Sequence, residues 1–233
     1  MMTTLLTLMR KDWRVFRGPV IASIILGAVP YAVILAASFV PDHYHTPWQK
    51  QFVDSIPGAA TCSLIVTGVI AAAFGSAAFA VERNDRSADF LLLLPPRRID
   101  ILLSKLAVLV PWLIFCFAIH CIVCAIGVLA VRDNYANFGE FRGTQEPLEN
   151  LACGVIMLFG MSWMFSTFLR STAISMCIPI VIVVATGAFV GLASSMLEWT
   201  QEKTLGTWCV FSSVVGLVCF AAGTAHYLRR VEP

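Results

Sequence analysis

Six stretches of this chain hold no Asp, Glu, Lys or Arg: Pro19–Val40, Ile56–Val81, Leu106–Val131, Leu151–Leu169, Ser171–Leu197 and Leu205–Ala225. The shortest has 19 residues and the longest 27. About 20 apolar residues in helix cross the roughly 30 Å hydrocarbon core of a bilayer. There the backbone has no water to bond to, so a spanning segment must be a helix or part of a closed barrel. The period-two alternation of barrel strands is absent, which leaves helices. Charged residues make up 13% of the chain, about half the ~25% that a water-exposed surface carries. The expected fold is therefore all-α: one polytopic transmembrane domain over residues 1–233, with spans at 19–40, 56–81, 106–131, 151–169, 171–197 and 205–225.

Basic residues collect on the cytoplasmic side of a membrane. An even number of spans puts both termini on one side. With them fall Arg10, Lys11, Arg14, Arg17, Arg83, Arg86, Arg97, Arg98, Lys105, Arg170, Arg229 and Arg230, against Lys50, Arg132, Arg142 and Lys203 opposite. The pattern predicts a multi-pass protein of the inner (cytoplasmic) membrane with both termini cytoplasmic. No cleavage site follows the first basic cluster, so the first span is expected to stay in the membrane. The net charge of +2 does not point to nucleic acid, because the basic residues follow topology rather than forming one patch.

At 100° per residue, Leu5, Leu6, Met9, Trp13 and Phe16 share one arc, with Arg10, Lys11, Arg14 and Arg17 beside it and Asp12 breaking the apolar edge. Residues 3–17 read as an amphipathic interfacial helix anchored by Arg10, Lys11, Trp13, Arg14, Phe16 and Arg17. Gly18-Pro19 reads as the break that turns the chain into the membrane, and Pro30 as a kink site in the first span. The second span is rich in Gly68, Ala71, Ala72, Ala73, Gly75, Ser76, Ala77 and Ala78, which suits a closely packed interior helix. Arg170-Ser171 leaves room only for a tight turn, so the fourth and fifth spans form an antiparallel hairpin. Arg132–Asn150 is the longest outer piece and too short for a domain of its own.

The absence of Asp, Glu, Lys and Arg from the spans counts against a proton- or sodium-coupled transporter and against an ion pump. H-E-x-x-H, G-x-S-x-G and G-x-x-x-x-G-K-[ST] are all missing, so neither a hydrolytic set nor an ATP-binding P-loop is visible. His120, with Cys116, Cys121 and Cys124 around it on one helix, cannot close a tetrahedral metal site alone. It reads better as a histidine hydrogen-bonded to a neighbouring helix. His43 and His45 in an outer loop are similarly weak ligands. The eight cysteines all lie in apolar spans and behave as small hydrophobes. A disulfide could be drawn among Cys62, Cys153 and Cys209 near the outer helix ends, and nothing in the spacing supports one.

Charge and exposed apolar side chains meet in one place. Glu82-Arg83-Asn84-Asp85-Arg86-Ser87-Ala88-Asp89 is followed by Phe90-Leu91-Leu92-Leu93-Leu94, Pro95-Pro96, Arg97-Arg98 and Lys105. A short helix over 85–94 would present Phe90, Leu91 and Leu94 beside Arg86 and Asp89, and an exposed apolar patch of this kind marks a partner. The stretch resembles the cytoplasmic loop of ABC-2 type transporter permeases, which carries E-x-x-x-G-T-x-E-x-L-L-x-x-P-x-x-R-x-x-I-x-x-x-K. Glu82 matches the first Glu, Leu91-Leu92 the Leu pair, Pro95 the Pro, Arg98 the Arg, Ile101 or Leu102 the aliphatic position and Lys105 the Lys. Ser87-Ala88 stands for Gly-Thr and Asp89 for the second Glu. The basic N-terminal helix, the six spans and the short outer loops extend the resemblance over nearly the whole chain.

The resemblance implies a permease subunit that is not itself catalytic. It would pair with a second permease, most simply an identical copy, and with two ATPase subunits that bind ATP and Mg. Residues 82–105 would then form the coupling loop, with Glu82, Arg86, Asp89, Phe90, Leu91, Leu92 and Leu94 meeting the ATPase in a helix-in-groove contact. The work would be ATP-driven export or flipping of an amphipathic or lipid-like substrate along the apolar, small-residue surfaces of spans two and five. The competing expectation is a non-transporting membrane assembly or sensor subunit.

Overall fold

The computed structural model describes residues 2–39, 48–84, 98–132 and 139–229. Six helices account for nearly all of them: α1 Met2–Ser38, α2 Trp48–Asn84, α3 Arg98–Arg132, α4 Gly139–Phe168, α5 Thr172–Met196 and α6 Gln201–Arg229. Each contains a segment long and apolar enough to cross a membrane, and there is no strand among the described residues. Several helices outrun their charge-free blocks. Residues 98–105, expected in the loop, are the first turns of α3, and 139–150 of the outer piece are the first turns of α4.

The expected break at Gly18-Pro19 is not there: α1 runs unbroken from Met2 to Ser38 with Pro19 and Pro30 inside it. Residues 3–17 are the opening turns of the same helix as the first span, not a separate one. The reason is a continuous buried stripe: Leu8, Asp12, Phe16, Val20 and Ser23 recur at four- and three-residue spacing on one face. That face packs on α2 and α3 on both sides of the proline.

α2, α4 and α6 run parallel and make the tightest contacts. Close approach comes from glycine, as lipid-embedded helices require. A β-carbon at Gly160 would collide with the Gly216 carbonyl, and one at Gly216 would lie 2.7 Å from the Ile156 carbonyl oxygen. On α2, Gly75 meets the α4 backbone at Phe159, while Ala71, Ala72 and Ala78 are wholly buried. Span two is therefore an interior helix, as its composition suggests. Gly68 and Gly75 of its small-residue face meet α4, while Ala73 and Ala77 are partly exposed.

α1 and α3 run parallel to each other and antiparallel to α2, packing on its other flank. Phe16, Phe74 and Trp112 join the three, with ring centroids 5.6 Å apart for Phe16–Phe74 and 4.6 Å for Phe74–Trp112. α4 and α5 form the expected antiparallel hairpin. Ser171 caps α5, its hydroxyl accepting from the Ile174 N–H at 3.3 Å. Outward faces stay apolar: Ile21, Ile25 and Val33 on α1, Val181, Val184, Phe189 and Leu192 on α5, and Val210, Val214 and Leu217 on α6 are all more than half exposed.

Candidate functional site at the charged end of the bundle

The chemistry-bearing residues lie at two levels. The first is the end of the bundle where α1, α3 and α5 begin and α2, α4 and α6 finish. Here Asp12 of α1 and Lys105 of α3 are both buried, with Asp12 Oδ1 3.9 Å from Lys105 Nζ. Ser104, also fully buried, places its hydroxyl 2.6 Å from Asp12 Oδ2, its shorter and charged acceptor, with the Ile101 carbonyl at 2.8 Å as the second. The Lys105 ammonium sits 5.5 Å from the centre of the Phe79 ring of α2, a cation–π distance. Phe79 in turn packs on Tyr227 of α6, ring centroids 4.4 Å apart, and Arg98 donates to the Tyr227 carbonyl at 3.3 Å. Asp100 is buried in the first turn of α3, where an acidic side chain complements the unpaired N–H groups.

A charge left without its partner in such a site costs on the order of 3–5 kcal/mol. Asp12 and Lys105 therefore fix each other, and with Ser104 they fasten α1 to α3 about 10 Å beyond Arg98 along the helix. This cluster brackets the segment 85–97, which α2 leaves at Asn84 and α3 rejoins at Arg98.

The second level lies about 28 Å further along α1 and about 22 Å along α3. His120 of α3 is buried with Tyr31 Oη 3.0 Å from Nδ1, and with Thr67 and Ser63 Oγ at 3.1 and 3.4 Å from Nε2. Thr67 donates its one hydroxyl hydrogen to the Ser63 carbonyl, and Ser63 donates its own to the Gly27 carbonyl. With those two bonds made, both hydroxyls are left to accept, which matches an Nε2–H tautomer with Tyr31 donating to Nδ1. His120 is thus the interhelical histidine the sequence suggests, joining α1, α2 and α3. Midway, Trp112 Nε1 donates to Ser23 Oγ at 2.9 Å. The α1–α3 seam thereby carries a polar tie at three heights.

The expected site residues divide sharply. Glu82 lies in the last turn of α2; its side chain, and the whole of Arg86, Asp89, Phe90, Leu91, Leu92 and Leu94, lie outside the described residues, as do His43 and His45. Arg10, Arg14 and Arg17 are exposed, Trp13 is 51% exposed, and Lys11 is partly buried. Phe16 is not an anchor: at 4% exposure it belongs to the core, against Phe74. Asp12, which breaks the apolar edge of the N-terminal stripe in sequence, is a buried residue in the fold. An acidic side chain centred in the stripe Leu8, Phe16, Val20, with a lone lysine at the edge of the third charge-free block, was the signal available. At the opposite end, Cys209 Sγ donates to Asn150 Oδ1 at 3.2 Å, and the six described cysteines are free thiols.

Six apolar helices knit by glycine contacts and a few interhelical hydrogen bonds define a multi-pass helical membrane protein. The family described as ABC-2 family transporter protein matches residues 39–207, and the chain belongs to that family. The match starts after α1 and ends inside α6, so it takes in the segment 82–105 and leaves Asp12 outside. Comparison with characterised proteins and with solved structures gives no match.

Proposed function

We propose that this ABC-2 transporter chain is the permease of an assembly of two identical permeases and two separate ATPase subunits that exports or flips an amphipathic or lipid-like substrate. The observation carrying this reading is the family match across residues 39–207, together with six helices long and apolar enough to cross a membrane. ATP and Mg then belong to the partner subunits. Coupling requires each ATPase state to favour one permease state. The segment 82–105 is the natural contact, through Phe90, Leu91, Leu92 and Leu94 beside Glu82, Arg86 and Asp89. Orientation follows the basic residues, with both termini in the cytoplasm of a cell whose inner membrane holds the protein. Outward faces of α1, α5 and α6 suit lipid or a lipid-like cargo.

The test is purification of the tagged chain from its native host in mild detergent. A stoichiometric P-loop ATPase that is lost with Leu92→Arg supports the proposal. Intact chain recovered alone, under conditions that preserve comparable complexes, would transfer the weight to a non-transporting assembly or sensor subunit.

A further inference from the structure

We propose that Asp12 is a positioning residue for energy coupling: through Ser104 and Lys105 it makes α1 move with the start of α3, where the segment 85–97 rejoins the bundle. The inference rests on the permease reading above, because it supposes that this segment receives the push of an ATPase. It goes beyond the family, whose match begins at residue 39.

Three observations carry it. Asp12, Ser104 and Lys105 are each at most 3% exposed, so the contact is internal, not a surface ion pair that water would loosen. Two different atoms of one carboxylate are engaged, Oδ2 by the Ser104 hydroxyl at 2.6 Å and Oδ1 by the Lys105 ammonium at 3.9 Å. The Ser104 contact is a charge-assisted hydrogen bond, which carries direction as well as attraction, while Lys105 at 3.9 Å adds an ion-pair attraction without that direction. Finally, the tie sits at the right place. α3 starts at Arg98, and Arg98 itself is held to the Tyr227 carbonyl of α6. Lys105 is two turns on, over Phe79, near the end of α2. Both helix ends that bound 85–97 are thus fixed to one layer, and Asp12 is the link from that layer to α1. Further along, Ser23–Trp112 and Tyr31–His120 keep α1 on α3. A displacement entering at Arg98 therefore reaches α1 at its base and is carried over its length.

A stability role alone predicts something different. Replacing both charges with apolar residues of similar size commonly leaves a fold as stable as before. The double variant Asp12→Leu with Lys105→Met should then behave as wild type if the pair only holds the bundle together. Positioning predicts a folded assembly that turns over poorly.

The experiment uses the full chain with its co-purified ATPase in lipid nanodiscs, and reads three quantities: ATPase stoichiometry, melting temperature and ATP hydrolysis rate. The expected result for the double variant is unchanged stoichiometry and melting with hydrolysis lowered about fivefold, within the range by which coupling residues act. Ser104→Ala, which leaves both charges in place and removes the hydroxyl shared by Oδ2 and the Ile101 carbonyl of its own helix, should lower hydrolysis about twofold at wild-type stability. Wild-type hydrolysis in the folded double variant overturns the proposal. Should the double variant fail to fold, wild-type hydrolysis in Ser104→Ala overturns it. If the wild-type chain brings no ATPase, the permease reading itself fails and takes this inference with it, an outcome visible before any variant is made.

Discussion

The Tyr31–His120 contact can be measured as a coupling energy. Tyr31→Phe removes one oxygen and leaves the ring against the imidazole, where centroids lie 6.0 Å apart at 24°. What is lost is the donor 3.0 Å from Nδ1. Interhelical hydrogen bonds in membrane proteins contribute about 0.6 kcal/mol on average and about 1.7 at most. A buried acceptor left unmade costs on the order of 1–3 kcal/mol. The membrane-embedded unfolded chain also finds partners, which favours the lower values, and about 1 kcal/mol is expected. Thr67→Val should cost less, about 0.5 kcal/mol, because Ser63 Oγ stands 3.4 Å from the same Nε2 as a second acceptor. His120→Leu loses ties to α1 and α2 together, about 2 kcal/mol. The assay is reversible unfolding of the full chain by SDS in mixed micelles. The Tyr31/His120 double-mutant cycle should give a coupling near 1 kcal/mol, above the roughly 0.3–0.5 kcal/mol within which independent sites add. A coupling inside that limit refutes the contact. Nitrogen NMR of labelled histidine refutes the tautomer if Nδ1 carries the proton.

The glycine seam and the corrected N-terminal helix give the other expectations. Gly216→Leu should cost 3 kcal/mol or more, roughly the upper end of overpacking penalties, since even a β-carbon there meets the Ile156 carbonyl at 2.7 Å. Gly206→Ala, in open space, should be neutral or stabilise by about 0.5–1 kcal/mol; equal effects of the two in SDS unfolding would refute the seam. Phe16→Ala should lose about 3 kcal/mol as a core deletion, whereas Trp13→Ala should stay within about 0.5 kcal/mol as a surface change; the reverse order would restore Phe16 as a surface anchor. Pro19→Ala should stabilise the chain by about 1 kcal/mol, part of the ~3 kcal/mol that separates these residues in a helix interior, and a loss would show that the proline geometry is needed.

What the sequence made legible was whatever the bilayer dictates. Charge-free blocks of span length force helices, and their number and the α4–α5 turn followed at once. Small residues on the second span correctly marked an interior helix, because close packing in lipid depends on them. What stayed hidden was pairing. That Asp12 meets Lys105 across 93 positions, or that His120 joins residues of two other helices, depends on which helices neighbour one another. Composition does not encode that. A Gly/Ala face looks alike in sequence whether it meets another helix or a ligand, and only the structure shows that Gly68 and Gly75 meet α4. The helix limits ran past the charge-free blocks because charged residues end a membrane span without ending a helix.

The fate of Gly18-Pro19 shows how the medium reverses a local rule. In water a Gly-Pro pair favours a turn, because the freed backbone groups find solvent. A proline inside a helix forfeits one hydrogen bond and strains the preceding turn, at about 3 kcal/mol. A full break leaves up to four N–H and four C=O groups unpaired, each costing several kcal/mol where no water reaches. Near the apolar phase, the intact helix with a proline in it is therefore the cheaper state. The buried stripe adds to this, since Phe16 and Val20 lie on opposite sides of Pro19 in the chain yet on the same face of α1. A turn at Gly18 would rotate that face away from Phe74 and take Asp12 from Lys105 and Ser104. Helix continuity and the ion pair thus require each other: the straight run through Pro19 delivers Asp12 to α3, and the pair gives the first turns of α1 a reason to stay in line.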